Sequence, residues 1–118
     1  MAGITYTAKK GKVKKEPSFE FDKDTVTSTL RTNKIGDIIL KITLEVTEAF
    51  DATRTITIGT PADHDKYVKT TNTDLTKIGV YEVATYYKVL ASETLVFYAL
   101  GASATGAGNI YIEILQNE

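Results

Sequence analysis

The residues best suited to chemistry are an imidazole between two carboxylates, Asp63-His64-Asp65, with a further carboxylate at Asp74. A group of this composition could bind a divalent metal ion. Its spacing matches neither an EF-hand calcium loop nor the histidine and cysteine patterns of zinc sites. Alternating polar residues beside Pro61 are more typical of a hydrated turn. We therefore predict a turn here, with no bound metal and no cofactor.

His64 is the only histidine in the chain, and there is no cysteine. A catalytic triad would need His64 beside a serine and an aspartate. None of the serines lies in a nucleophile-elbow sequence; they are Ser18, Ser28, Ser92 and Ser103. Close carboxylate pairs occur at predicted strand ends and solvent faces, where charge protects sheet edges; they are Asp22 with Asp24 and Glu45 with Glu48. The sequence therefore predicts no catalytic residue and a protein that is not an enzyme.

Residues 101–108 are all small (GASATGAG). A phosphate-binding Walker loop would end in Gly-Lys-Ser/Thr and open a helix. This segment contains no lysine and leads into a run of strand-forming residues. Because small residues permit positive φ angles and close approach of two backbones, we interpret it as a structural loop packed at a symmetry axis or against a partner.

Six aromatic residues in the second half of the chain could form a platform on which sugars or bases stack. They are Tyr81, Tyr86, Tyr87, Phe97, Tyr98 and Tyr111. Several occupy positions that the strand pattern directs toward the core. Tyrosine also suits subunit interfaces, because its ring is apolar and its hydroxyl forms hydrogen bonds. We expect these rings in the core or at an interface, with a ligand platform as the second interpretation.

The N-terminal residues are basic, although the chain has a net charge of only −1. Residues 1–15 contain no acidic residue and five lysines: Lys9, Lys10, Lys12, Lys14 and Lys15. The other residues carry nine basic and fifteen acidic side chains, a net charge of −6. A basic segment on an acidic body could bind an acidic protein surface or nucleic acid, but it could equally be a solvated, mobile terminus. We predict a Lys-rich arm at residues 1–17, followed by a β-sandwich domain at residues 18–118.

The elements that must position all these residues are strands. In the longest alternating run, residues 37–50, polar residues occupy one side and Ile39 is the single apolar exception there. The opposite, apolar side consists of Ile38, Leu40, Ile42, Leu44 and Val46. A helix would scatter these aliphatic residues around its circumference. Nineteen threonines, together with the valines, isoleucines and tyrosines, also favour strands over helices.

Seven further short strands are suggested by β-branched and aromatic runs between turn signals. They fall at residues 18–21, 25–31, 54–58, around 67–68, and at 80–89, 94–100 and 109–115. Turn signals at intervals of 8 to 12 residues are typical of an all-β sandwich or barrel. We predict an all-β, single-domain antiparallel β-sandwich of about eight strands, jelly-roll-like in its connections.

Residues 37–58 are expected to form a β-hairpin, with its turn at residues 51–53. In its second strand Ile56 and Ile58 should point inward. The run at residues 94–100 is apolar on both faces, which is typical of a central strand or a subunit contact. In the last strand one face carries Ile110, Ile112 and Ile114.

The size and composition fit one ordinary globular domain. The chain has 118 residues, of which 42% are hydrophobic and 25% charged, which argues against wholesale disorder. No apolar run approaches the roughly 20 residues that span a bilayer. The N-terminal lysines are not followed by the apolar segment of a signal peptide. The lack of cysteine is compatible with assembly in a reducing cytoplasm.

Three segments, taken in order, resemble one family of proteins. They are residues 39–60 (ILKITLEVTEAFDATRTITIGT), 74–83 (DLTKIGVYEV) and 94–114 (TLVFYALGASATGAGNIYIEI). Together they resemble the small β-sandwich virion proteins of tailed bacteriophages, namely head decoration (cement) proteins and the base domains of head fibres. The resemblance covers about residues 25–115 and depends on pattern and phrase, not on a catalytic signature.

The resemblance implies a homotrimer that binds the major capsid protein on the outer surface of a phage head and stabilises it without catalysis. It implies a virion location after assembly in the host cytoplasm, with no small-molecule substrate, membrane or nucleic acid as partner. We expect the five lysines of residues 1–15 to make the electrostatic contact with the capsid. The alternative is a carbohydrate- or receptor-binding module of a phage tail or fibre, which would need exposed aromatic rings grouped in a groove.

Overall fold

Two antiparallel β-sheets make up the structure, a computed structural model that describes residues 13–15, 18–51 and 54–116. Within these ranges the one helical element is a 3-10 turn, Thr70–Asn72. The described part of the chain holds no helix with the length and apolarity to cross a membrane. The strands are β1 (Val13–Lys15), β2 (Phe19–Asp22), β3 (Thr27–Asn33), β4 (Ile38–Glu48), β5 (Thr55–Gly59), β6 (Gly79–Lys88), β7 (Glu93–Leu100) and β8 (Ala107–Leu115).

The strands divide unequally between the two sheets. In the larger sheet, β1 and β2 both pair with one edge of β8, which is followed by β4 and then by β6 at the far edge. The smaller sheet has the order β3-β7-β5. From β2 to β8, each strand along the chain lies in the opposite sheet to the strand before it. The predicted all-β sandwich is confirmed.

The predicted hairpin over residues 37–58 is wrong. β4 pairs with β6 along one edge and with β8 along the other, whereas β5 pairs with β7 in the opposite sheet. Because both edges of β4 are occupied, it has no free backbone groups for β5. Buried Arg54, just before β5, donates hydrogen bonds to the carbonyls of Gly101 and Thr25 and so fixes where β5 begins. Ile56 and Ile58 do point inward, as predicted, and both are fully buried.

A β-bulge in β4 changes which of its residues face the core. Between Ile39 and Lys41, β4 has one residue more than β8, so Leu40 has no partner on that side. An extra residue shifts the in-and-out alternation by one position. Ile39 is therefore fully buried, and the prediction that put it on the polar side, with Ile38 and Leu40 inward, is wrong at this end of the strand. Beyond the bulge the residues predicted to face inward are buried: Ile42, Leu44 and Val46.

The core lies between the two sheets and is centred on β7. As predicted from its apolar run, β7 is the central strand of its sheet, and it turns Leu95, Phe97 and Ala99 to the core. The ring centroid of Phe97 lies 5.6 Å from that of Phe19 and 5.5 Å from that of Phe21, so β7 packs directly on β2 across the core. The face predicted for the last strand is confirmed by the burial of Ile110, Ile112 and Ile114.

The smaller sheet lacks a full fourth strand, which leaves the inner side of β6 partly uncovered. Beyond β5 the chain pairs through a single bridge between Ile58 and Val68 and then bends into the 3-10 turn. The short strand predicted around Tyr67 and Val68 is therefore only one bridge long. As a result, the residues of β6 that alternate toward the core are half-buried; they are Tyr81, Val83, Thr85 and Tyr87.

A substitution of Gly59 tests how closely the loop after β5 packs on the smaller sheet. A Cβ at Gly59 would overlap the backbone of Asp63 and His64, whereas a Cβ at Gly79 would meet no atom within 4 Å. We expect Gly59→Ala to lower the free energy of unfolding by about 1–3 kcal/mol, because backbone must move to make room. The control Gly79→Ala should change it by less than about 0.5 kcal/mol. Thermal unfolding of both variants measures the difference, and equal stability would contradict the tight packing.

Candidate functional site

His64 lies on the outer face of the smaller sheet, where its ring stacks on Tyr98 of β7. The ring centroids are 3.7 Å apart and the ring planes differ by 8°. The hydroxyl of Tyr98 donates to the carbonyl of Thr60 at 3.3 Å, in the same loop. The imidazole therefore packs against an aromatic ring, in a contact that holds the loop on the sheet.

The two aspartates beside His64 make separate local contacts. The N–H of Asp63 donates to the carbonyl and the hydroxyl of Thr60, which closes a tight turn. The carboxylate of Asp65 lies 3.6 Å from the amino group of Lys69, which is four residues further along the chain. These contacts are those of the turn that the sequence predicted.

The carboxylate of Asp74 is likewise hydrogen-bonded within its own turn. Its carboxylate accepts hydrogen bonds from the hydroxyl and the N–H of Thr76, and these bonds lower the pKa of Asp74. In the ranges that the structure describes, no three side chains of His, Cys, Asp or Glu come together as metal ligands would.

The small-residue loop at residues 101–108 is anchored by carboxylates of its own chain. Asp51 Oδ1 lies 2.6 Å from the hydroxyl of Ser103 and accepts the N–H of Ala104 at 3.0 Å, and these two bonds lower the pKa of Asp51. Glu48 accepts the N–H of Gly106 at 3.0 Å. Carboxylates thus occupy N–H groups that a phosphate would need. The loop serves to connect the two sheets.

A polar cluster that the sequence did not indicate fills the uncovered corner beneath β6. The amino group of Lys66 donates to Glu93 at 2.9 Å and to the hydroxyl of Tyr87 at 3.1 Å, and lies 4.4 Å from the centroid of that ring. The hydroxyl of Tyr67 donates to the other oxygen of Glu93. A cavity of about 330 Å³ opens beside them, bordered by Val83 and its neighbours on β6.

The raised pKa values of Lys66 and Tyr67 make these two residues poor candidates for a general base. Burial raises the pKa of Tyr67, and its hydrogen bond to Glu93 raises it further. Burial on its own lowers the pKa of Lys66, but the hydrogen bonds to Glu93 and Tyr87 outweigh it and the net shift is upward. A general base that works near neutral pH needs a pKa close to that pH. Both groups instead hold their protons more firmly, so the cluster acts as a salt bridge that closes the corner.

The six aromatic residues considered as a stacking platform do not share one surface. Phe97 is buried, and Tyr81, Tyr87 and Tyr98 are half-buried in contact with neighbouring residues. The exposed rings are those of Tyr86 on β6 and Tyr111 on β8, and β4 runs between these strands. Tyr111 is bound to Glu45 through its hydroxyl. Most of these rings contribute to packing, which was the first of the two interpretations.

The structure describes part of the predicted Lys-rich arm. Lys14 and Lys15 belong to β1, which pairs with β8 at the edge of the larger sheet. Lys9, Lys10 and Lys12 lie outside the described residues. The role of the five lysines in docking and the boundary at residue 17 stay predictions.

Chains in two solved phage capsid structures share this fold. A chain of the cyanophage Pam1 capsid asymmetric unit matches with a TM-score of 0.65 and 18% identity, over 98% of this chain and 91% of that one. A chain of the acid-stable capsid of Helicobacter pylori bacteriophage KHP30 matches with a TM-score of 0.67 and 16% identity, over 91% of this chain and 95% of that one. No protein-family model matches the chain, and no curated protein matches it in sequence. At these identities the likeness establishes a common fold.

The corner cluster predicts a specific loss of stability at alkaline pH. Because the pKa of Tyr67 is raised in the folded protein, the native state keeps a proton that the unfolded chain releases. The resulting stabilisation is complete below about pH 10 and decreases as the pH rises further. The raised pKa of Lys66 acts in the same direction. We expect Tyr67→Phe to have a lower Tm at pH 7 but a shallower fall in Tm between about pH 9 and 11.

The exposed Tyr86 provides the matched control. Tyr86→Phe removes the same hydroxyl from the outer surface and should follow the wild-type dependence of Tm on pH. Calorimetry of the three proteins across this range measures the slopes. Identical slopes for wild type and Tyr67→Phe would show that the cluster does not couple folding to protonation.

Proposed function

We propose that this protein is a structural virion protein that decorates the outer surface of a bacteriophage head and stabilises it. The observation that carries the proposal is the fold match to chains of two phage capsid structures, over at least 91% of both chains in each pair. Because each match spans nearly the whole length, the likeness includes the complete sandwich and not just one shared motif. The sequence resemblance of residues 39–60, 74–83 and 94–114 to small virion proteins points the same way.

The side chains of the described residues also support a role without catalysis. The single histidine packs on Tyr98. The carboxylates of Asp51 and Asp74 hold turns and loops together. The partly buried Lys66 and Glu93 form an ion pair with each other. These groups are committed to the fold, so binding by shape and surface charge is the function they leave open.

We further propose a homotrimer of jelly-roll subunits, bound to the major capsid protein and carried on the virion after assembly in the host cytoplasm. The alternation of β2 to β8 between the sheets supports a jelly roll. In a jelly roll the smaller sheet would have a fourth strand beside β5, and Val68, which pairs with Ile58 through a single bridge, occupies that position.

Binding to capsids tests the decoration role directly. Expanded heads of the phage that encodes this chain, prepared without the protein, should bind the added purified protein to saturation and sediment with it. The temperature at which the heads disrupt should then rise, because a ligand of the intact head stabilises it. Absence of binding to heads, with binding to tails or to host glycans, would favour the receptor-binding module instead.

Charge reversal tests the part played by the lysines. In one variant Lys9, Lys10 and Lys12 become Glu, and Lys14 and Lys15, which lie in β1, are reversed separately. We expect the first variant to bind heads at least about tenfold more weakly, and wild-type binding to weaken with salt, because docking by these lysines is electrostatic. Its thermal unfolding should match that of the wild type.

A body variant controls for the change in net charge. Lys34→Glu, Lys69→Glu and Lys77→Glu together alter the charge by the same amount at exposed positions outside the arm. This variant should bind heads with nearly the wild-type affinity. Equal affinity of the arm variant and the wild type would remove the arm from the docking contact, and an equal loss in both variants would show that only net charge matters.

A further inference from the structure

The outer faces of the two sheets differ sharply in charge. The larger sheet carries ionised side chains along β4, β6 and β8, among them Lys41, Glu45, Glu82 and Glu113, and Lys41 pairs with Glu82 at 2.8 Å. In the smaller sheet, Leu95, Phe97 and Ala99 turn to the core, so the residues that alternate with them along β7 turn outward. The residues of β3 and β5 that pair with these outward residues lie on the same outer side.

No residue on that outward side of β3, β5 and β7, strands that the structure describes in full, is charged. Six of the residues are threonines: Thr27, Thr29, Thr32, Thr55, Thr57 and Thr94. This surface, with Tyr98 and Leu100 of β7, is called the uncharged face; Val96, on the same side of β7, is buried. The charged residues that these strands do contain are turned away from it: Arg31 lies within 3.5 Å of Asp37, and Glu93 is bound to Lys66.

Apolar side chains are exposed at one end of the uncharged face. Leu100 is 70% exposed and Val26 is 59% exposed, although large aliphatic residues are usually buried. Together with Tyr98, His64 and Asp65 they line a groove of about 420 Å³, and the carboxylate of Asp65 lies 3.6 Å from the amino group of Lys69. Exposed aliphatic and aromatic surface with few charged groups is typical of the centre of a protein–protein contact, from which charged residues are depleted.

We infer that the uncharged face is the contact between copies of this chain, packed about the symmetry axis of the proposed trimer. The inference rests on that proposed homotrimer and names its interface. Next to a threefold axis, a side chain meets the same side chain of the other two copies, so the residues nearest the axis must tolerate identical neighbours. Threonine meets this condition because its hydroxyl both donates and accepts, so identical side chains can pair, whereas identical charges would repel.

The charges elsewhere on the molecule favour a second copy over the capsid as the occupant. Proposed docking on the head uses the basic N-terminal residues, whereas the strands of this face carry no charge on their outer side and Asp65 at the groove is already paired with Lys69. A partner with charged groups would have to bury them unpaired, which is costly. The larger sheet of a second copy, with Lys41 and Glu45 on its outer face, is excluded for the same reason. The same face of another copy covers it without that cost.

The dimensions of the face set its part in the interface. Strands about 4.8 Å apart and about 3.3 Å long per residue give roughly 14 by 26 Å for three strands, the longest of eight residues. This area of roughly 350 Å² is less than half of the about 800 Å² per partner that a stable interface buries. The uncharged face therefore forms the centre of the contact, and the loops around it supply the rim.

Substitutions of two leucines with similar exposure test the inference. Leu100→Lys places a charge on the uncharged face, and Leu90→Lys places one at a position that is 73% exposed in the turn after β6. Light scattering coupled to size-exclusion chromatography gives the mass of each full-length protein. We expect the wild type and Leu90→Lys near three times the 12.9 kDa chain mass. Leu100→Lys should associate at least about a hundredfold more weakly and elute as a monomer.

The other outcomes overturn the inference in distinguishable ways. A trimeric Leu100→Lys places the interface elsewhere, and if that trimer no longer sediments with phage heads, the uncharged face contacts the capsid. A monomeric wild type that still sediments with heads removes the self-contact but leaves the decoration role standing. Thermal unfolding of Leu100→Lys shows whether this variant still folds. A second variant, Thr29→Lys, repeats the test at another position of the uncharged face.

Discussion

The pairing of β4 with β8 is the constraint on which the rest of the structure depends. Ile42 lies opposite Ile112 and Leu44 opposite Ile110, and all four are buried. A slip of one residue would turn the charged alternate residues of β4 into the core, at a cost of several kcal/mol for each unpaired ion. The register is therefore strongly specified. Because β6 pairs along the other edge, β4 has no free edge, and β5 joins the opposite sheet.

The unequal size of the sheets is the second consequence. With only three strands, the smaller sheet cannot cover β6, and a sandwich with an open corner would expose apolar rings to water. The chain closes the corner with the ion pair of Lys66 and Glu93 and the two tyrosines bound to it. Charged groups partly removed from solvent are tolerated here because each is hydrogen-bonded to a partner. The raised pKa values of Tyr67 and Lys66 are thus explained by burial and hydrogen bonding within this corner.

The surface is organised by the same architecture. The outer face of the larger sheet carries charged residues, the strands of the smaller sheet carry none on their outer side, and β1, with Lys14 and Lys15, pairs with the edge of β8. This separation is consistent with the proposed self-association through the uncharged face and with the proposed electrostatic docking on a phage head.

The sequence by itself determined the approximate positions of β2 to β8 and the inward faces of β5, β8 and the part of β4 beyond its bulge, because alternation within a strand and turn residues are local properties. It did not reveal which strands are neighbours: the hairpin of residues 37–58 was a reasonable inference from a short connection, but the two free edges of β4 were taken by β6 and β8. Only the tertiary structure decided the bulge at Leu40, the meeting of Lys66 with Glu93 and the uncharged face. Each depends on pairing between residues far apart in the chain, and the local pattern does not encode that pairing.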